Sequence, residues 1–143
     1  MQKVRVVLAD DHALFREGVR MVLEAQGDFA VVGEAGSAAE AIEEAKKSRP
    51  DIVVMDISME GNGLEATRNV LRALPQTRVI MLTMHADDEY FFQALEAGAS
   101  GYVVKGATSA DLVAALHAVA RGEVFIHSSV AKFLVANYMT RVG

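Results

Sequence analysis

The feature that most constrains this chain is a regular alternation of short apolar runs with longer segments of helical periodicity. Each short run is rich in β-branched residues, and the segment after it repeats apolar residues every three or four positions. Such alternation predicts parallel strands joined by right-handed crossover helices, and strands this apolar predict that helices cover both faces of the sheet. The predicted strands are residues 3–9, 29–35, 51–56, 77–83 and 100–105.

Residues that start and stop helices lie where this alternation requires them. Gly27 suits the left-handed position that ends a first helix, and Ser37 with Glu40 has the spacing of a capping box. Pro50 and Pro75 fit the ends of the second and third helices, because proline does not continue a helix interior. A fourth helix would begin after Asp87 or Asp88 as its N-cap and end at Gly98. A fifth would begin after Thr108 or Ser109 and end at Gly122.

Composition sets the class of protein and excludes several functions. The 143 residues suffice for one domain, and 52% hydrophobic residues with a mean hydropathy of +0.22 exclude a disordered chain. A net charge of −5 argues against nucleic-acid binding by this chain alone. The absence of cysteine excludes disulfides, thiolate metal sites and thiol catalysis. Without a long apolar segment or a signal-peptide pattern, we expect a cytoplasmic protein with no membrane partner.

Residues 123–143 form an extension with a different pattern. A short apolar run is followed by Ser128 or Ser129, either of which could cap one more helix. That helix would carry Val130, Phe133, Leu134 and Tyr138. Two interpretations remain open: an extra helix packed on the same domain, or a connector helix toward a further domain that this sequence does not contain. We therefore divide the chain into a domain at 1–122 and an extension at 123–143.

Polar side chains end four of the five predicted strands. The first ends in Asp10 and Asp11, the third in Asp56, the fourth in Thr83 and the fifth in Lys105. With the flavodoxin-like strand order 2-1-3-4-5 these four strands are neighbours, and ligands of such sheets lie beyond the carboxyl ends of the strands. We therefore predict a doubly wound, five-stranded α/β sheet of this order that brings the five side chains into one crevice.

Three carboxylates in one crevice require protonation or a cation. Two like charges about 4 Å apart repel by roughly 4 kcal/mol at an effective dielectric of about 20. Oxygen ligands without histidine or cysteine suit a hard divalent ion, and Mg²⁺ is the one that keeps waters and binds phosphoryl oxygens. An aspartate beside such an ion can attack phosphorus and become an acyl phosphate. Lys105 could then neutralise one oxygen of the transferred group, and the Thr83 hydroxyl could donate to another.

Together these residues resemble the receiver domain of bacterial two-component response regulators. The motifs that carry the resemblance are Asp10-Asp11, Met55-Asp56, Leu82-Thr83 and the run from Tyr102 to Lys105. The local sequence is most similar to the NarL/FixJ subgroup, whose output domain is of the LuxR type. That similarity lies in Leu8 to Gly18, Met55 to Met59, Gly63 to Thr67, Leu82 to His85 and Ala97 to Tyr102. The resemblance covers residues 3 to about 122.

The resemblance implies a phosphorylation switch. Asp56 would accept a phosphoryl group from a partner sensor histidine kinase, with Mg²⁺ as cofactor. The ligands of Mg²⁺ would be Asp10, Asp11, Asp56 and the backbone carbonyl of Ser58. Thr83 and Tyr102 would rearrange on phosphorylation and alter the surface formed by the fourth helix, fifth strand and fifth helix. The chain would be a signalling domain that catalyses only its own phosphotransfer and dephosphorylation.

The same resemblance implies an output outside this sequence. Such proteins usually carry a C-terminal helix-turn-helix domain, so DNA would be contacted only through that domain, and the output would be transcription. A homodimer is a further implied partner, and the first helix, the fifth helix and the tail are its candidate surfaces.

Two positions depart from the pattern of the family. The family typically has Met-Pro-Gly-x-Asn/Asp-Gly after the acceptor, whereas the segment from Met59 to Gly63 is one residue shorter and has Glu60 in place of proline. We expect a freer loop in which Glu60 can swing toward the metal and change metal affinity or phosphorylation rate. Gly106 replaces the proline that often follows the lysine, which leaves the isomer of the Lys105–Gly106 bond open.

Some residues and functions have competing interpretations. His12 and His85 could act as ligands or as phosphoryl relays. Each is isolated beside a loop, however, and a solvated or hydrogen-bonded imidazole is the simpler interpretation of both. His85 and Met84 could instead control the access of water to the acyl phosphate. A phosphatase of the HAD type would need an Asp-x-Asp pair, but Ser58 stands two positions after Asp56. A phosphorylation-independent interaction module with the receiver fold is the other alternative, favoured only by the altered loop.

Overall fold

The computed structural model describes residues 2–84 and 91–142, except the side chains at 129, 133, 134, 137 and 140–142. The strands in these ranges are β1 Val4–Ala9, β2 Phe29–Ala35, β3 Ile52–Asp56, β4 Arg78–Thr83, β5 Gly101–Val104 and β6 Phe125–Ile126. The helices are α1 Ala13–Gln26, α2 Ala38–Ser48, α3 Gly63–Ala73, α4 Phe91–Ala97, α5 Ser109–Ala120 and α6 Ser128–Val142. None of these described helices combines the length and the apolar character that crossing a membrane requires.

The strands pair in parallel in the order β2-β1-β3-β4-β5-β6. The flavodoxin-like architecture and the order of the first five strands are therefore confirmed. The prediction of five strands was one short, because β6 adds to the edge of β5. Its hydrogen bonds run from the Phe125 N–H to the Ser100 carbonyl and from the His127 N–H to the Tyr102 carbonyl, each at 3.0 Å. A strand of two residues has too little pattern to be recognised from sequence, and pairing with β5 is what creates it.

Two apolar layers pack against the sheet, one on each face. Alternate residues of one strand enter opposite layers: in β1, Val7 contacts the layer of α2, α3 and α4, whereas Val6 contacts the layer of α1 and α5. In β3, Val53 likewise belongs to the first of these layers and Val54 to the second. This period of two is what a parallel strand buried on both faces requires, and it confirms the doubly wound arrangement.

Helix ends follow the local signals of the sequence. Gly27 and Gly122 have φ angles of +81° and +88°, in the left-handed region at the ends of α1 and α5. Glycine adopts this region without the steric cost that a side chain adds. Thr108 caps α5 in a capping box with its third residue. The N-caps predicted for the fourth helix, Asp87 and Asp88, lie outside the described residues.

The extension is partly integrated into the domain. Val130 in the first turn of α6 is fully buried and belongs to the core layer that contains α2 and α3. Farther along α6, Val135, Tyr138 and Met139 are 63%, 65% and 63% exposed. The first turn thus packs on the domain, as one interpretation of the extension expected, while later turns present apolar side chains to solvent.

A polar contact joins the start of this extension to α5. The His127 Nε2 atom lies 3.2 Å from the Asp111 Oδ2 atom. This hydrogen bond with His127 is the main reason that the pKa of Asp111 lies below its ordinary value, and hydrogen bonds with Thr108 lower that pKa further. The junction between β6 and α6 is therefore fixed by a side-chain pair as well as by the sheet.

Candidate functional site

The carboxyl ends of β1, β3, β4 and β5 meet at one edge of the sheet. Asp56 stands beside Leu82 in the register of β3 and β4, and Thr83 stands beside Val104 in that of β4 and β5. The Lys105 N–H then donates to the Thr83 carbonyl at 2.6 Å. The structure therefore brings together the strand ends that the sequence predicted to share one crevice.

Lys105 lies at the centre of the charged groups in this crevice. Its Nζ atom is 2.7 Å from Asp10 Oδ2 and 3.3 Å from Asp56 Oδ2. The three side chains are 8%, 3% and 0% exposed, so water screens their charges only weakly. One ammonium thus offsets two buried carboxylates that would otherwise repel each other.

The two oxygens of Asp56 have different environments. Oδ1 accepts hydrogen bonds from the Ser58 N–H at 3.0 Å and from the Ser58 hydroxyl at 2.9 Å. Oδ2 faces Lys105. Gly63 allows the backbone to close over this site, because a Cβ there would lie 2.8 Å from the Asp56 carbonyl oxygen. The carboxylate is therefore held in one orientation, with Oδ2 toward the other charged groups.

The loop from β1 to α1 adds a second carboxylate and an imidazole. The His12 N–H donates to Asp10 Oδ1 at 2.7 Å. The His12 Nδ1 atom lies 3.0 Å from Asp10 Oδ1 and 3.1 Å from Asp11 Oδ1. The Asp11 side chain is 42% exposed, so it borders the opening of the crevice. The sequence interpretation of His12 was a solvated or hydrogen-bonded imidazole, and the ring here is hydrogen-bonded. Its position directly after the two acids is the local signal for this place.

The acids and His12 could hold a cation. Asp10, Asp11, His12 and Asp56 each offer one ligand atom, and these atoms lie within 4.8 Å of one another. Asp10 Oδ2 is buried and accepts no hydrogen bond from the described residues, although it is paired with the Lys105 ammonium. A donor set dominated by carboxylate oxygens suits a hard divalent ion.

Two supporting residues were not foreseen from the sequence. The Arg16 guanidinium donates to the backbone carbonyl of Asp10, and its Nε atom pairs with Glu34 Oε1 at 3.1 Å. The Phe15 ring lies 4.6 Å from Lys105 Nζ, a distance at which an aromatic face attracts a cation. Both residues lie in the first turn of α1, whose apolar pattern predicted a helix but not these contacts.

The residues predicted to act as a switch are buried beside the crevice. Thr83 is fully buried. Tyr102 is 1% exposed, and its ring meets Phe91 of α4 edge to face with centroids 5.0 Å apart. Met84 is 53% exposed. His85 lies outside the described residues.

The short loop after β3 is held in place by its neighbours. The Glu60 carbonyl accepts a hydrogen bond from the Ala38 N–H at 2.9 Å. Gly61 has a φ of +95°, and a Cβ there would lie 2.7 Å from the Ala38 Cβ. The Glu60 side chain does not belong to the group of potential ligands, so the structure gives no support to a Glu60 that approaches the metal. The Lys105–Gly106 bond, left open by the sequence, is trans.

Comparison with known proteins identifies the class. The model of the response regulator receiver domain family matches residues 6–117, which is most of the chain. The chain therefore belongs to this family, the receiver domains of two-component response regulators. Receiver domains bind Mg²⁺ at an acidic pocket, and Asp10, Asp11 and Asp56 form a cluster of acids here.

Particular relatives refine this result. YxjL of Bacillus subtilis (strain 168), an uncharacterized transcriptional regulatory protein, is 41% identical over 135 residues, which are 94% of this chain and 62% of YxjL. A two-component response regulator of the LuxR family from Aurantimonas sp. SI85-9A1 is 37% identical with a TM-score of 0.91, covering 96% of this chain and 99% of that one. The response regulator RcsB, solved as a complex with DNA, is 29% identical with a TM-score of 0.85, covering 93% and 68%.

These likenesses place the receiver in the NarL/FixJ subgroup that its motifs predicted. The chain spans less than two thirds of the length of the first curated relatives that it matches. The phosphatase alternative is not favoured, because the position two residues after Asp56 belongs to Ser58, whose hydroxyl donates to the Asp56 carboxylate.

Proposed function

We propose that Asp56 is the phospho-acceptor of this receiver domain. The observation that carries the proposal is the environment of its carboxylate, which is fully buried, held at Oδ1 by Ser58 and turned at Oδ2 toward Lys105. A nucleophile held in one orientation lowers the entropic cost of reaching the transition state. The proposed phosphodonor is a phosphohistidine of a sensor histidine kinase.

In the proposed transfer, Asp56 Oδ2 attacks phosphorus in line and becomes an acyl phosphate. The bond between phosphorus and the histidine nitrogen of the kinase breaks, and that nitrogen keeps the electron pair. Lys105 turns from Asp10 to one phosphoryl oxygen, and the Thr83 hydroxyl donates to another. Dephosphorylation is the attack of water on the same phosphorus, with release of the Asp56 carboxylate, and Met84 and His85 are the residues proposed to control the access of that water.

We propose Asp10, Asp11, Asp56 and the backbone carbonyl of Ser58 as the residues that hold Mg²⁺. The buried Asp10 Oδ2 atom and the oxygen-rich donor set support this assignment. When bound, Mg²⁺ supplies positive charge that offsets the carboxylates and the phosphoryl oxygens. The Ser58 N–H and hydroxyl fix the start of the loop that carries its carbonyl.

The proposed output is a change of the surface formed by α4, β5 and α5. Because Tyr102 is buried against Phe91, a displacement of the tyrosine ring would be transmitted to α4. Thr83 lies in the neighbouring strand and is the proposed link from the phosphoryl group to that ring. Phosphorylation would then shift the population between two arrangements of this surface.

The proposed domain organisation is a receiver at 1–122 followed by an extension at 123–143 that connects to a DNA-binding domain. Relatives described as transcriptional regulatory proteins and the RcsB–DNA complex support transcription as the output. The proposal assigns the contact with DNA to the other domain. A homodimer through α1, α5 or α6 belongs to the same proposal. A cytoplasmic location also belongs to this proposal, because the receiver would meet both the kinase domain that donates the phosphoryl group and the DNA in the cytoplasm.

Amide NMR spectra test this proposal. Beryllofluoride with Mg²⁺ mimics a phosphoryl group on an aspartate, and we expect it to shift the amide signals of Asp10, Thr83 and Tyr102. The variant Asp56→Asn should show no such shifts, whereas Asp51→Asn, directly before the start of the same strand, should respond like the native chain. A native spectrum that beryllofluoride leaves unchanged would instead support a phosphorylation-independent interaction module.

A further inference from the structure

The imidazole of His12 lies among charged groups at the opening of the crevice. Its Nδ1 atom is 3.0 Å from Asp10 Oδ1, 3.1 Å from Asp11 Oδ1 and 2.9 Å from Lys105 Nζ. The His12 N–H donates to Asp10 Oδ1 at 2.7 Å, which fixes the backbone from which the ring projects. The proposed function gives this ring no role.

One ring nitrogen cannot satisfy these three neighbours. A protonated Nδ1 donates to the carboxylates but meets an ammonium that has no lone pair. An unprotonated Nδ1 accepts from Lys105 but turns its lone pair toward two carboxylates. Both conflicts end if the unprotonated Nδ1 and the carboxylate oxygens direct their lone pairs at one divalent cation and Lys105 turns away.

The spacing of the donor atoms fits such an ion. Octahedral complexes with bonds of about 2.1 Å place neighbouring ligand atoms about 3.0 Å apart. The Nδ1 atom of His12 has this separation from Asp10 Oδ1 and from Asp11 Oδ1, at 3.0 Å and 3.1 Å. The Asp56 donor joins the same group, in which the ligand atoms lie within 4.8 Å of one another.

We propose that His12 Nδ1 is an additional ligand of the metal and makes this site prefer Mn²⁺ to Mg²⁺. The inference rests on the metal site of the proposed function. Imidazole binds first-row transition ions well, whereas Mg²⁺ favours carboxylate, carbonyl and water oxygens. A nitrogen ligand therefore adds more affinity for Mn²⁺ than for Mg²⁺. Coordination of His12 also releases Lys105 from Nδ1, so that its ammonium can turn to the phosphoryl group.

Pulsed EPR of Mn²⁺ bound to the full chain tests the ligand directly. We expect the spectrum to show coupling to a directly bound ¹⁴N nucleus. His12→Ala should bind Mn²⁺ without that coupling. His117→Ala, which removes an imidazole paired with Asp28 far from the crevice, should keep it. Circular dichroism confirms that each variant is folded before the spectra are compared.

Binding of each metal alone measures the preference. The Mn²⁺ dissociation constant should rise about tenfold or more in His12→Ala, since loss of a ligand costs at least as much as loss of its supporting partner. The Mg²⁺ dissociation constant should rise less, so the ratio of the Mg²⁺ constant to the Mn²⁺ constant should fall. The ratio should not change in His117→Ala. A native chain without nitrogen coupling, or a ratio unchanged by His12→Ala, overturns the inference.

The failure of this inference differs from the failure of the proposed function. If both metals bind and Asp56 responds to beryllofluoride, but no nitrogen is coupled to Mn²⁺, then the receiver function stands and His12 is not a ligand. If neither metal binds the native chain, then the proposed metal site and the role of His12 both fail.

Discussion

Lys105 balances the charge of the crevice, because its ammonium contacts two carboxylates that are almost fully buried. Removing one partner of a buried ion pair costs more than the pair contributes, since the remaining charges stay desolvated. The lysine therefore has two functions: it stabilises the fold before phosphorylation, and it is the proposed partner of a phosphoryl oxygen afterwards.

We expect Lys105→Met to lower the free energy of unfolding in metal-free buffer by about 3 kcal/mol. Asp10 and Asp56 would lose the cation between them, so Mg²⁺ should raise the melting temperature more in this variant than in the native chain. Urea denaturation and thermal melts with and without Mg²⁺ measure both effects. Lys47→Met, at an exposed position of α2, is the matched control. If Lys105→Met and Lys47→Met are equally stable without metal, then Lys105 does not balance the carboxylates.

Gly61 is the residue on which the short loop after β3 depends. Its φ of +95° and the close approach of Ala38 both disfavour a side chain. We expect Gly61→Ala to lower the free energy of unfolding by about 1–3 kcal/mol. Gly106→Ala is the control, because a Cβ there meets nothing within 4 Å, and it should change stability little. Urea denaturation of the two variants measures the difference, and equal stabilities would show that the loop is not constrained as described.

The extension is an element with two parts. Its start is bound to the domain by β6, by the His127–Asp111 pair and by the buried Val130. Its later turns present Val135, Tyr138 and Met139 to solvent. The proposed connector is thus fixed at one end and apolar along its free part, which suits it to pass a change in the receiver to the proposed neighbouring domain.

A pair of valines on α6 tests how far the extension belongs to the core. Val130→Ala should lower the free energy of unfolding by about 2 kcal/mol, because it removes methyl groups from a fully buried site. Val135→Ala removes the same groups from a side chain that is 63% exposed and should have little effect. Urea denaturation compares the two. Equal effects would contradict the division of α6 into a packed first turn and an exposed remainder.

The contact between His127 and Asp111 predicts a dependence on pH. The pKa of Asp111 is lower in the folded chain than its ordinary value of 3.8, so the carboxylate stabilises the fold when ionised. This contribution is complete above the ordinary pKa and is lost as the pH falls through the lowered pKa.

We therefore expect native protein and Asp111→Asn to differ in stability at neutral pH and to converge in acid. Urea denaturation between neutral pH and pH ~3 measures the difference. Glu17→Gln, at an exposed position of α1, should show no comparable convergence. A difference for Asp111→Asn that stays constant down to the lowest pH would contradict the role of this pair.

The whole molecule shows which features can be predicted from sequence. Helix caps such as Thr108 and the strand ends at Asp56 and Lys105 have local signals, and the rule for parallel sheets then places those ends together. The strand β6 forms only because it pairs with the edge of β5, and Val130 is buried only because the core layer receives it. No local sequence pattern predicts either feature. The contact of His12 with Lys105 has no local signal for the same reason, since the two residues are distant in sequence.

The proposed function requires this crevice to transfer a phosphoryl group to one carboxylate. Asp56 has the position, burial and orientation for this role, whereas Asp51 is exposed directly before the start of the same strand. A small-molecule phosphodonor isolates the chemistry of the receiver from the choice of kinase.

The most direct measurement is intact-protein mass spectrometry after incubation with acetyl phosphate and Mg²⁺. We expect the native chain and Asp51→Asn to gain one phosphoryl group, which EDTA prevents. Asp56→Asn should gain none. A native chain that stays unmodified, or an Asp56→Asn variant modified to the same extent as the native chain, would contradict the assignment of Asp56 as the phospho-acceptor.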